Sequence, residues 1–209
     1  VRFGVNAGNS IASGGNYNVV VGDEAGTAIT TGDSNVAIGY AALQNEDGHG
    51  LNVAIGRAAL NTLNAGADGY NVAVGAEAGA LMTTGVQNTF IGGLAGDATD
   101  DGTNNVAVGF EALSANCGSG NTSVGTRAGK ATTADNNTFV GNNAGTATTT
   151  GANNTALGFS SLSANILGTL NTAIGRSALA SDTKGNNSVA VGYNTLNAQN
   201  FTSATDVYN

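Results

Sequence analysis

The 209-residue chain contains no proline. Proline inside a sheet removes a ladder hydrogen bond, so its absence fits a backbone that donates without interruption into a continuous ladder. Tryptophan is also missing, and aromatic residues make up only 5% of the chain, which is not the composition of an ordinary globular core. A lone cysteine, Cys117, excludes an intrachain disulfide. A lone histidine, His49, lies in the turn Glu46-Asp47-Gly48-His49-Gly50; it argues against a Ser-His-Asp site or a histidine metal cluster and reads as a solvent-exposed turn residue. Charged residues are scarce at 10%, and the net charge of −8 argues against nucleic acid or an anionic membrane as partner. No apolar run approaches the roughly 18 residues of a membrane-spanning helix, so no membrane insertion is expected. No stretch of the sequence reads as a signal peptide, and Val1 already lies inside a repeat. The expectation is a single repeat domain over residues 1–209 that forms a segment of a longer fibre.

What is present in abundance is glycine, 33 residues of it, with asparagine, threonine and alanine. One pattern, Asn-x-x-aliphatic-Gly, organises them. Its closing glycines are Gly4, Gly22, Gly39, Gly56, Gly75, Gly92, Gly109, Gly125, Gly141, Gly158, Gly175 and Gly192, spaced 16 to 19 residues apart. Disorder does not hold an aliphatic residue at one phase through so many copies. The regularity predicts an all-β parallel β-solenoid of about 12 rungs, in which each rung is too small to bury its own apolar face and is stable only when stacked.

Within a rung, the residue before the glycine and the one two places earlier (Val36 and Ile38, Val53 and Ile55) share one face of a short strand by the two-residue period. Their apolar character assigns that face to the interior. The glycine ends the strand at a position expected to need positive φ. Four places before it stands an asparagine column that includes Asn35, Asn52, Asn88 and Asn154, whose stacked amides can hydrogen-bond along the ladder. Thr205-Asp206-Val207-Tyr208-Asn209 looks like the start of one more such strand, with Asn209 at the glycine position.

Four residues after the glycine the chain carries either Leu (Leu43, Leu60, Leu113, Leu162, Leu179, Leu196) or Gly (Gly8, Gly26, Gly79, Gly96, Gly129, Gly145). In every leucine rung the middle strand residue is Ala and the residue after the closing glycine is large: Tyr40, Arg57, Phe110, Phe159, Arg176 or Tyr193. In glycine rungs the middle residue is bulky in several cases (Val20, Phe90, Phe139). Volume traded between positions implies a shared space, so the middle residue and the Leu/Gly site are expected to face a common interior or a subunit interface. Polar stretches such as Thr30–Ser34, Asp97–Gly102 and Thr148–Gly151 read as surface turns.

The Asn-Val-Ala-Ile-Gly and Ser-Val-Ala-Val-Gly units resemble the head repeats of YadA-like trimeric autotransporter adhesins. They are similar also to the Asn-Thr-Ala-Ile-Gly-Tyr-x-Ala-Leu repeats of phage tail fibres and bacterial surface fibres. The resemblance covers almost the whole chain and implies a left-handed β-roll, a homotrimer and an extracellular home on a virion tail fibre or a cell surface. It also implies a non-enzymatic rigid rod that displays surface to a host glycan or protein receptor. A self-assembling filament without a ligand is the alternative.

Six residues form the candidate ligand column: Tyr40, Arg57, Phe110, Phe159, Arg176 and Tyr193. Exposed, they could stack on sugars or grip a protein; their strict pairing with Leu favours instead packing between chains or against the leucine of their own rung. Asp97, Asp100 and Asp101 are the carboxylates that calcium could take, although their spacing matches neither an EF-hand nor a calcium roll, and no cofactor is expected. Glu77 and Glu111 share a column, and Arg127 beside Glu111 reads as its surface ion-pair partner. Ice binding is a poor match, because the strand threonines Thr89, Thr122, Thr138, Thr155 and Thr172 share the column assigned to the interior.

Overall fold

The computed structural model describes residues 2–201, 203 and 205–208; Asn209, expected at a turn, lies outside them. Two compact units divide the chain, Val1–Asn105 and Val106–Asn209. Among the described residues neither contains a helix. The first unit carries β1 (Arg2–Phe3), β2 (Val19–Val21), β3 (Val36–Ile38), β4 (Val53–Ile55), β5 (Val72–Val74) and β6 (Thr89–Ile91). The second carries β7 (Val106–Val108), β8 (Thr122–Val124), β9 (Thr138–Val140), β10 (Thr155–Leu157), β11 (Thr172–Ile174), β12 (Gly185–Asn186), β13 (Val189–Val191) and β14 (Thr205–Asp206).

Within each unit the repeat strands pair in parallel with their immediate successors, each residue on its repeat equivalent: Ala37 pairs with Ala54, and Ala156 with Ala173. The ladder bonds are regular, with the Val36 N–H donating to the Asn52 carbonyl at 2.8 Å and the Gly39 N–H to the Val21 carbonyl at 2.7 Å. Parallel strands of three residues joined by coils of this length make each unit a parallel β-solenoid. The closing glycines stack as expected. Gly39 has φ +131°, and a Cβ there would sit 2.5 Å from the Gly56 carbonyl oxygen, so both conformation and space demand glycine.

The strand's two faces are the reverse of the expectation. The middle residues, Val20, Ala37, Ala54, Ala73 and Phe90 in the first unit and Ala107, Ser123, Phe139, Ala156 and Ala173 in the second, are fully buried. The flanking Val, Ile and Thr residues point outward and are half-buried or exposed; Leu157 is 46% and Val191 61% exposed. A 17-residue coil encloses too narrow a space for two facing β-branched columns, so the interior takes alanine and the larger side chains lie outside.

The shared interior predicted from the Leu/Gly alternation is present. Leu43, Leu60, Leu113, Leu162 and Leu179 are fully buried beside the middle column, while Leu196 is 37% exposed. Where glycine replaces leucine, another side chain enters the space: Val20 with Ile11 or Ile29 at Gly8 and Gly26, and an aromatic ring elsewhere, where a Cβ on Gly96 would lie 2.7 Å from the Phe90 ring and one on Gly79 would lie 3.0 Å from it. Phe139 fills the Gly129 and Gly145 sites in the same way. One phenylalanine therefore serves two glycine rungs, which explains why the rungs of Ala73 and Ser123 can be small at both positions. The residue after the closing glycine takes no part in this trade, because all six large residues there are exposed.

A second reason for the Leu/Gly choice is conformational. The six leucines have φ between 48° and 51°, a left-handed conformation that bulky residues rarely adopt. Strain of roughly 1–3 kcal/mol is comparable to the 1.5–3 kcal/mol or so gained by burying a leucine. Burial thus offsets the strain at five of the six leucines, and glycine takes the site wherever a phenylalanine already fills it.

The asparagine column is buried and bonded, though through the backbone more than amide to amide. The Asn88 Oδ1 accepts from the Asn105 N–H at 2.9 Å, and its Nδ2 donates to the Gly102 carbonyl at 2.8 Å. Asn154 repeats the pattern with the Asn171 N–H at 3.0 Å and the Gly168 carbonyl at 2.9 Å. Each asparagine ties one rung to the next and pins a loop. Those loops are only partly superficial, since Thr99, Gly102, Thr148 and Gly151 are buried. At the C-terminal end, β14 pairs with β12, placing Thr205 opposite Gly185. The expected further strand of the main ladder is therefore not formed there: its residues turn to a side ladder, with the Val207 N–H donating to the Asn186 carbonyl at 3.2 Å.

Candidate functional site

The column after the closing glycine is held at the surface because that glycine, at φ +123° to +138° in these six rungs, turns the chain out of the strand. Tyr40, Phe110, Phe159 and Tyr193 are 59%, 47%, 50% and 67% exposed, and Arg57 and Arg176 are exposed as well. In the same rungs five of the six leucines are fully buried.

The three C-terminal members form a ladder. The guanidinium carbon of Arg176 lies 5.7 Å from the Phe159 ring centroid and 5.8 Å from that of Tyr193, within reach of cation–π attraction to both. β10, β11 and β13 run in register beside them, so the order ring, guanidinium, ring follows the stacking direction. Arg57 differs: it pairs with Glu77. In the second unit Glu111 accepts from Arg127 at 2.8 Å, as expected, and from Lys130 at 2.7 Å. The hydrogen bond from Lys130, and next that from Arg127, hold the Glu111 carboxyl below the usual carboxylate range.

Asp97 is half-buried and Asp100 and Asp101 are exposed; Thr83 donates to the Asp100 carboxylate. Among the described residues, the group whose ligand atoms converge is Glu46, Asp47 and His49, all within 4.8 Å of one another. Glu46 is fully buried, its carboxylate accepting from the Ala65 N–H at 3.1 Å and the His49 N–H at 3.3 Å, with the His49 Nδ1 3.6 Å away. Desolvation pushes its carboxyl above the ordinary value. With both oxygens engaged by backbone donors, the group reads as a capped turn. His49 is half-buried there rather than solvent-exposed. The signal was available: Glu46 stands seven residues after its closing glycine, where other rungs of this unit carry Ile29, Leu63 and Met82.

The outward strand face is the feature that sequence reasoning missed. Val124, Leu157, Val189 and Val191 are exposed on the second unit and Phe3 and Ile91 on the first, and no charged residue stands at either outward strand position of β2–β11 or β13. Thr122, Thr138, Thr155 and Thr172 are in register on this face, in four successive strands. No family model matches this chain, and no curated protein or solved structure is similar to it. The surface is accordingly read from its own residues.

Proposed function

We propose that the chain is a non-enzymatic segment of an extracellular fibre, in which three copies pack as left-handed β-rolls into a rigid rod that displays surface for attachment to a host or receptor. The observation that carries this reading is the outward strand face: a flat, uncharged strip of Val, Ile and Thr that an isolated coil leaves open to water. Burying such strips against one another supplies the apolar contact that a narrow alanine-lined interior lacks. Three such strips can meet along a threefold axis, each chain offering one side of its strip to one neighbour and the other side to the next, as a closed ring requires. A phage tail fibre and a bacterial surface adhesin are both homes for such a rod, and electron microscopy of the native source separates them. Sedimentation equilibrium tests the assembly. The native chain is expected at three times the monomer mass, and Ile55→Lys on the outward face is expected to sediment as a monomer; a monomeric native chain refutes the reading.

A second reading rests on the threonines. They point outward, which removes the objection raised from their column, and Thr122, Thr138, Thr155 and Thr172 form a regular array at about 4.8 Å per strand, the kind of face an ice-binding solenoid presents. The two readings compete for one surface. An ice-recrystallisation assay on a monomeric preparation decides for the second if Thr155→Lys abolishes inhibition.

A further inference from the structure

We propose that Phe159, Arg176 and Tyr193 form a binding platform for an acidic glycan, a linear saccharide carrying carboxylates on its sugar rings. The proposal rests on the attachment reading and names the ligand class that this surface fits.

Charge points first to an anion. Of the described arginine side chains, Arg57 and Arg127 face Glu77 and Glu111, whereas Arg176 has no carboxylate partner. In a chain of net charge −8, an exposed arginine between two rings and without an internal counter-ion is a local exception. The rings hold the guanidinium by cation–π attraction and leave its N–H fork for a planar, bidentate acceptor such as a carboxylate.

Shape then selects a saccharide. Among the described residues there is no pocket to enclose a small anion or to seat a helix or a proline-rich peptide. The platform is open and linear, with one side chain per rung, so its two rings are two strand spacings apart, about 9.6 Å. A linear glycan can lay the apolar C–H faces of alternate sugars on Phe159 and Tyr193, as aromatic rings favour, with the carboxylate of the intervening sugar on Arg176.

Isothermal titration of the full chain with an oligogalacturonate, its methyl-esterified neutral counterpart and poly-glutamate tests this. The uronate is expected to bind, the neutral sugar to bind far more weakly, and poly-glutamate not to bind measurably. Arg176→Gln should weaken uronate binding roughly tenfold to a hundredfold, the loss of a charge-assisted bidentate contact. Phe159→Ala and Tyr193→Ala should each weaken it several-fold, while Arg127→Gln leaves it unchanged. Equal binding of the neutral sugar, equal binding of poly-glutamate, or no uronate binding by the native chain overturns the proposal. So does a change of oligomeric state in Arg176→Gln, which would place the ladder in a subunit contact. A trimer that ignores uronates refutes the platform and leaves the fibre reading standing; a monomer that binds them does the converse.

Discussion

If Phe90 fills the space that leucine takes in other rungs, Phe90→Ala and Gly96→Leu are each harmful and jointly tolerated. Phe90→Ala empties a fully buried ring site between Gly79 and Gly96, and truncation of an enclosed phenylalanine costs about 3–5 kcal/mol. Gly96→Leu alone drives a side chain into the ring, because its Cβ would already lie 2.7 Å from three ring atoms; overpacking of this kind costs roughly 1–3 kcal/mol or more. Together the two changes rebuild the Ala/Leu pair of the neighbouring leucine rungs. The backbone can accept this, since Gly96 has φ +60° and Leu60 adopts +48°. The double variant should be destabilised by only about 1–3 kcal/mol, chiefly from the gap left beside Gly79, giving a favourable coupling of at least about 1 kcal/mol. Urea denaturation followed by circular dichroism, at one fixed protein concentration because any self-association would shift apparent stability, measures the cycle. Single effects that add to within about 0.5 kcal/mol would refute the shared-volume account.

Asn88→Ala should cost roughly 1–3 kcal/mol for each backbone group it strands, and amide exchange at Asn105 should accelerate with it; unchanged exchange there would contradict the ladder role. Gly39→Ala combines the loss of a glycine-only conformation with a clash against the Gly56 carbonyl, so the melting temperature should fall well below that of an alanine substitution at the exposed Gly66, where nothing crowds the site. Burial raises the Glu46 carboxyl, so folding favours its protonated form, and the native chain should gain stability as pH falls from neutral through that raised value. Glu46→Gln should remove this gain, and melting temperatures that track the native chain's at every pH would exclude it. Glu111 has the opposite sign: its lowered carboxyl contributes stability above the ordinary carboxylate range that is lost as pH falls through the lowered value. In an NMR titration, Lys130→Ala should move the Glu111 midpoint upward.

Register and rung architecture could be read from the chain because they depend on one-dimensional facts. A glycine repeated at a nearly constant interval, with an asparagine four places earlier, fixes which residues stack. The Leu/Gly alternation disclosed the interior because packing density leaves a volume correlation in the sequence. The left-handed leucines could not be read in this way. Nothing in the letters of Leu43 or Leu60 announces a positive φ, and only their exchange with glycine hints at it. The side ladder of β14 was equally hidden, because Thr205–Tyr208 matches the repeat by period while its hydrogen bonds go to Gly185 and Asn186.

The reversed strand faces have a more general cause. A two-residue period separates the faces of a strand but does not say which is inside, and the usual tie-breaker, that the more apolar face is buried, assumes an interior with room for it. In these coils the interior is bounded by the rung's own turns, so alanine is the side chain that fits, and Val36 and Ile38 are displaced outward by size rather than by polarity. The same constraint sends Phe90 and Phe139 inward only where two glycines make space. Ala37 inside and Ile38 outside is therefore what the narrow coil requires, and it leaves an apolar strip on the outer face of the strands.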